Sequence, residues 1–192
     1  MRRRRSRHVA LVCLAFAVCI GPVSAEADTA APAARHLIGV GGGYTFAPFG
    51  FDDPYSGAYG GGVFYEIHHA SGLGQLYFGA RLSSSGFSPI NPSFEASTMV
   101  QTGSYAGISI PLYAARRVEW TAAPYWGYHH YVRWHTFEGK RFVTSRPVGV
   151  GGIDLRVAHE KVAVGIRSEY QLLFERLPLR TVTVRGYLAF PF

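Results

Sequence analysis

From His36 to its last residue the chain alternates apolar and polar side chains at period two in eight successive segments. Successive side chains of a strand point to opposite faces, so such alternation specifies strands with one apolar and one polar face. The first segment, His36 to Phe46, sets Ile38, Val40, Tyr44 and Phe46 against Gly39, Gly41, Gly43 and Thr45. The second, Ala58 to Ile67, sets Tyr59, Val63, Tyr65 and Ile67 opposite Glu66. The third and fourth are Gln75 to Ser84 and about Thr98 to Leu112. The fifth runs from Val118 to Trp134, and the sixth lies within Arg146 to Val157. The seventh, Val162 to Phe174, is the cleanest, with Val162, Val164, Ile166, Tyr170, Leu172 and Phe174 on one face. The eighth, Thr181 to Phe192, carries Val182, Val184, Leu188, Phe190 and Phe192 on its apolar face.

The connections alternate in length. Those after segments two, four and six are short, and those after one, three and five are longer, including His135–Ser145; Glu175–Arg180, after segment seven, is the exception in being short. Short turns at one end and longer loops at the other describe an up-and-down barrel. With an even number of strands, both termini fall at the short-turn end. Two positions strain the pattern. Val148 and Val150 share a face with Asp154 and Arg156, which predicts a bulge or shifted phase near Gly149–Gly152. Pro124 sits mid-strand without an amide hydrogen for the ladder.

The eighth segment runs to a carboxy-terminal phenylalanine. In this it resembles the closing strand of bacterial outer-membrane β-barrels, on Phe192, Phe190, Leu188 and Val184, with Gly186 the weak member. The resemblance implies that the strand also serves as the recognition signal for the barrel-assembly machinery.

The amino terminus agrees with export. Five arginines in Met1–Arg7 precede the apolar run Val9–Ile20, and Val23-Ser-Ala25 suits signal peptidase. Twelve apolar residues are too few for a membrane helix. Residues 1–25 therefore read as a signal peptide, residues 26–34 as an Ala/Pro-rich periplasmic tether, and residues 35–192 as one barrel domain. Cleavage removes Cys13 and Cys19, leaving no thiol for disulfides, catalysis or metal. It also removes five of the 19 basic residues, so fourteen bases face 12 acids and the mature charge is +2. The basic pI belongs largely to the targeting peptide, and nucleic-acid binding loses its basis.

The placement of charge separates a membrane barrel from a soluble, lipocalin-like one. The apolar faces are bulky: Trp120, Trp126, Tyr128, Tyr170, Phe174, Phe190 and Phe192 would overfill an eight-stranded lumen but suit aromatic girdles against lipid. The opposite faces, rich in Gly, Thr and Tyr, suit a polar lumen. They carry Glu66, Arg81, Glu119, Arg133, Asp154, Arg156, Arg167, Glu169 and Arg185. Enclosed charges need partners. With the last hairpin centred near Leu177, Glu169 falls opposite Arg185; with the preceding one centred near Glu160, Asp154 reaches Arg167. A luminal network of Glu169, Arg185, Arg167 and Asp154 is expected, either closing the barrel or lining a gated pore.

Motifs for chemistry are few. His129 and His130 point to opposite faces, so they cannot share a metal ion, and no metal or cofactor is expected. His130 and Ser168 share the outward face. Some small outer-membrane barrels are lipid A deacylases with a membrane-facing His and Ser two apart on one strand. Here Val132 occupies the serine's place, so the resemblance fails at the nucleophile. His68-His69 reads as a solvated turn. Gly41–Gly43 and Gly60–Gly62 are followed by no Lys-Ser/Thr and no helix, so they serve strand curvature and luminal packing rather than phosphate binding. The loop rim is mildly basic through Lys140, Arg141, Arg146, Arg176 and Arg180, offset by Glu138 and Glu175. It admits an anionic ligand such as lipopolysaccharide phosphate.

Along the whole mature length the chain resembles the small eight-stranded outer-membrane proteins of the OmpA, OmpX and OmpW kind. That resemblance implies an all-β, eight-stranded antiparallel up-and-down transmembrane barrel in the outer membrane of a diderm bacterium, with outer-membrane lipid as its surroundings. The implied role is structural or surface-interacting and non-enzymatic. A narrow OmpW-like channel for small hydrophobic molecules stands second and a lipid acyl-chain enzyme third.

Overall fold

The computed structural model describes residues 35–46, 55–71, 74–90, 92–115, 117–174 and 179–192. The expected signal peptide and tether, with Glu175 and Arg176 of the rim, lie outside the described residues. Eight strands follow one another: β1 (Arg35–Phe46), β2 (Tyr55–Ser71), β3 (Gly74–Pro89), β4 (Ser97–Ala115), β5 (Val118–Phe137), β6 (Lys140–His159), β7 (Val162–Leu173) and β8 (Leu179–Pro191). Each pairs antiparallel with the next, and β8 closes on β1, so the sheet is a ring without a free edge along the barrel wall. The start of β1 and the end of β8 meet at one end, where Leu37 pairs with Pro191 and Phe192 N–H donates to the His36 carbonyl. We call this the terminal end and the opposite one the loop end.

The registers fix the stagger of the ring. From His36 the partners run through Ile67, Phe78, Ala106, Trp126, Gly151, Tyr170 and Val182, and return to β1 at Phe46, ten residues further along. Such a stagger tilts the strands by about 40° from the barrel axis. Ten residues at about 3.3 Å each then rise about 25 Å, the height of the apolar band of an outer-membrane barrel. Aromatic groups mark both margins of that interval. His36, Tyr65 and Phe192 cluster near the terminal end, with ring centroids 5.8–6.4 Å apart, and Tyr44, Phe46 and Tyr59 cluster near the loop end at 4.6–4.7 Å. Between them Val40, Val63, Phe78, Leu82, Leu155, Val164 and Ile166 face outward and are exposed.

Several expectations are corrected. The strands of β5 and β6 do not stop at Trp134 and Arg146. They continue as a hairpin to Phe137 and Lys140, so the long loop expected at His135–Ser145 is a two-residue turn. Glu138 and Gly139 both adopt positive φ, 48° and 72°, which gives the turn a twist matching the flanking strands. The β3–β4 connection docks on this hairpin through a Phe94–Phe137 bridge and the bonds Glu95 N–H to Thr136 O and Glu138 N–H to Ser93 O. No bulge occurs near Gly149–Gly152: β6 keeps unbroken register with both β5 and β7 there. Val148 and Val150 instead point inward and are buried. The irregularities lie at Tyr55/Gly57 and Pro111/Tyr113. Pro124 pairs with Ile153 of β6, but the β4–β5 ladder breaks between Gly107↔Tyr125 and Ile110↔Ala122, where proline has no amide hydrogen to give.

Candidate functional site

The interior is layered rather than uniformly polar. Tyr55, Phe87, Met99, Tyr131, Val148, Val150 and Leu173 belong to an apolar and aromatic cluster that reaches the loop end. Leu37, Phe64, Ala163, Tyr187 and Ala189 form a second cluster on the β1, β2, β7 and β8 side. Between and beside these lie the charged side chains. Of the nine enclosed charges read from the sequence, eight are buried and Glu119, near the terminal end, is half-buried. Glycines on the inner face of β1 make room for them: a Cβ on Gly43 would lie 2.6 Å from Arg185 Cα, and one on Gly41 would lie 2.7 Å from Tyr187 Cβ.

Two charge groups form. The first centres on Glu66, which is fully buried. Its Oε1 accepts from Arg167 Nη2 at 2.7 Å and Tyr105 Oη at 2.9 Å, and its Oε2 accepts from Arg156 Nη2 at 2.8 Å. His68 Nε2 lies 2.9 Å from the same Oε2. Asp154 Oδ2 accepts from Arg156 at 2.9 Å and Arg167 at 2.8 Å, and Tyr187 Oη donates to Oδ1 at 2.7 Å. Two carboxylates thus face two guanidiniums. The rings of Phe64, Tyr105, Tyr125 and Tyr187 surround the Arg167 guanidinium at 4.8–5.4 Å.

The second group centres on Glu169. Arg81 donates to its Oε1, Tyr125 Oη donates there at 2.6 Å, and Gln171 Nε2 donates to Oε2 at 3.1 Å. Arg185 Nη1 stands 3.5 Å from Oε2, an ion-pair distance rather than a hydrogen bond. His129 Nδ1 lies 3.1 Å from Arg81 Nη2.

The four residues expected to form one network fall into these two groups: Asp154 with Arg167, and Glu169 with Arg185. Asp154 and Arg167 are direct ladder partners across β6 and β7. Across β7 and β8 the hairpin centres one residue earlier than expected, so Arg167 pairs with Arg185 and Glu169 with Thr183. Glu169 reaches Arg185 only diagonally. Glu66 as a hub was not legible from spacing, because it depends on β2 meeting β6 and β7 across the lumen. Nor is His68 a solvated turn residue. The β2–β3 ladder continues past it to Ser71↔Gly74, which encloses His68 on the inner face, stacked on Tyr77 with centroids 5.1 Å apart.

Among the described residues the interior is narrow: one pocket of about 20 Å³ lies near the terminal end by Leu37, His68, Thr121 and Arg156, and another of about 20 Å³ by Arg81, Ser83, Arg167 and Arg185. Each has space for one water-sized occupant. A wider one of about 380 Å³ opens at the terminal end by Arg35, Ala114, Arg117 and Glu119.

The outer face carries the seven girdle residues, all exposed: Trp120, Trp126, Tyr128, Tyr170, Phe174, Phe190 and Phe192. His130 and Ser168 also face outward, but the fold does not bring them together. His130 aligns with Pro147 on β6 and Ser168 with Ile153, six residues along that strand and about 20 Å away. The group near His130 is Ser145, whose Oγ lies 2.6 Å from Nε2. Among the described residues no carboxylate partners the other ring nitrogen of His130. Nor does any group of three or more metal-ligating side chains occur among them. Lys140, Arg141, Arg146 and Arg180 are exposed at the loop end.

No protein-family model and no curated protein sequence matches the chain. Solved structures do. The attachment invasion locus protein Ail of Yersinia pestis superposes with a TM-score of 0.57 at 14% identity, over 83% of this chain and 97% of Ail. Ail has also been solved in complex with the heparin analogue sucrose octasulfate. The N-terminal β-barrel domain of Pseudomonas aeruginosa OprF gives 0.55 at 14% identity, over 82% and 97%. A major outer-membrane protein of Thermus thermophilus gives 0.55 at 10% identity, over 83% and 100%. The closed eight-stranded ring, its outward apolar band and these superpositions together give the chain the fold of the small eight-stranded outer-membrane β-barrel proteins.

Proposed function

We propose that the protein is an integral outer-membrane barrel that acts through its surface rather than as an enzyme or channel. Its mature chain begins after the signal peptide at residue 25, both termini face the periplasm, and the strand ending in Phe192 addresses the chain to the barrel-assembly machinery. The observation that carries the reading is the β5–β6 hairpin. It extends two 20-residue strands, about 65 Å of chain each, well past what a 25 Å apolar band needs. Lys140, Arg141 and Arg146 stand exposed along its β6 side, while aromatic and charged side chains fill the lumen below. A raised basic ribbon on a closed barrel suits contact with anionic surfaces such as sulfated polysaccharide or lipopolysaccharide phosphate.

Heparin binding to the full chain, folded in zwitterionic micelles, tests this. Neutralising Lys140, Arg141 and Arg146 together to Gln is expected to weaken binding at least about tenfold and to flatten its salt dependence. Unchanged affinity in the folded triple variant would sink the proposal.

A further inference from the structure

The outward wall of the barrel is not apolar all the way round. On β3, β4 and β5 the exposed outward side chains include Ser84, Thr102, Ser104 and His130. The registers make them neighbours. Thr102 pairs with His130 on one side and Leu82 on the other, and Ser84 pairs with Val100, two residues from Thr102. Their depth follows from the stagger of the ring. Each step to the next strand rises about 3 Å and each residue about 2.5 Å along the axis. Ser104 therefore stands about 14 Å above His36, and Thr102, Ser84 and His130 about 19–22 Å, inside a band about 25 Å high. At these depths on β7, β8, β1 and β2 the large outward side chains are Tyr170, Val184, Phe46, Tyr59 and Val63. Ser168 is a small outward hydroxyl there too, but it stands alone between Ile153 and Val184.

Hydroxyls and an imidazole facing hydrocarbon are costly unless they find partners. One His130 nitrogen has Ser145 at 2.6 Å. The others call for an occupant that carries hydrogen-bonding groups to the same depth. Ser84, Thr102, Ser104 and His130 include no Lys, Arg, Asp or Glu, so they do not select a charged headgroup. Hydroxyls both donate and accept, so the patch complements a copy of itself. Its shape does the same. Ala80, Ser84, Thr102 and Ser104 leave a shallow trough along β3 and β4, with Leu82 in its floor. Beside it β5 raises a ridge of Trp126 and Tyr128, both more than half exposed. Two barrels inserted in the same direction are related by a two-fold axis along the membrane normal, so each residue meets one at its own depth. With that axis at β4, β5 of one copy faces β3 of the other. Trp126 then meets Ala80 at about 11–12 Å, Tyr128 meets Leu82 at about 16–17 Å, and His130 meets Ser84 at about 21–22 Å. Thr102 meets its own counterpart on the axis.

We propose that the β3–β5 wall is the interface of a two-fold homodimer in the outer membrane. The aromatic ridge of each copy fills the trough of the other, and His130 bonds Ser84 of the second copy. Small side chains let the two walls approach closely, and the polar ones supply the bonds that lipid cannot. The inference rests on the barrel lying in the membrane and is independent of the anionic ligand proposed above.

Cysteine crosslinking in outer membranes of expressing cells tests the contact. Thr102→Cys is expected to give a disulfide-linked dimer on mild oxidation. Val184→Cys, outward on β8 and four strands from β4 either way round the ring, is expected to stay monomeric, as is the parent chain. No dimer from Thr102→Cys, or equal dimer from both positions, would overturn the proposal. In bilayers, energy transfer between labelled copies reads the affinity. His130→Leu is expected to weaken the dimer about tenfold through two lost bonds. Thr102→Trp, which fills the trough without entering the lumen, is expected to abolish it, with near-UV circular dichroism checking that each variant is folded. Energy transfer that both folded variants leave unchanged would refute the interface.

Discussion

Glu66 accepts from Arg156, Arg167 and Tyr105 while fully enclosed, so its charge is the reason two guanidiniums can be buried on that side. Glu66→Gln keeps the volume and strips the charge, leaving the pair of arginines opposite Asp154 alone. A loss of about 3–5 kcal/mol is expected, read from urea unfolding of the barrel refolded in micelles; a loss near zero would show that solvent reaches the group. Tyr105→Phe removes one donor to Glu66 and one acceptor from Arg167 without changing charge, and the same assay should register about 1–3 kcal/mol. Most members of this cluster could be read from the sequence, because parity along each strand assigns a face. Their pairing could not. Strand neighbours such as Asp154 and Arg167 follow from a turn position, whereas Glu66 meets Arg167 across the lumen, where the distance is set by the stagger of all eight strands.

At the scale of the strand, the hairpin of β5 and β6 is the element that sequence patterning under-read. Alternation weakens beyond Trp134 because both faces of the ribbon leave the lumen and the band, so Arg141 and Val143 meet similar surroundings to Lys140 and Phe142. The Glu138-Gly139 turn holds the ribbon together. Gly139→Val places a β-branched residue at φ 72°, at a cost of about 1–2 kcal/mol, and should speed tryptic cleavage at Lys140 and Arg141 while the barrel stays protected. Equal cleavage rates would show that the ribbon is held by its docked neighbour at Phe94 instead. In β6 the pattern misleads the other way: Val148 and Val150 share the charged face without any phase shift, because the lumen itself changes from polar to apolar along its axis.

For the whole molecule, the narrow interior predicts electrical silence. Full-length protein in planar bilayers should give no resolved conductance steps, and Arg185→Ala should remain silent, since Tyr77, Tyr105, Tyr125 and Tyr131 still occupy the cross-section. Regular steps in the unaltered protein would mean that the interior rearranges in a bilayer. Strand number, faces and closure were all legible in the sequence, because one period repeated eight times admits few topologies. The stagger of ten was not, since it sums eight registers and an error in any turn shifts the total.

The seam between β1 and β8 has a kinetic corollary. Its partners, such as Gly43 and Arg185 or Ile38 and Phe190, are separated by about 150 residues of chain, and every other ladder can form without them. The first strand must therefore wait with one edge unpaired until the last has arrived. Contacts so distant in sequence form late and slowly. During that wait the exposed edge is open to wrong partners, a hazard set by where the two ends of the chain meet.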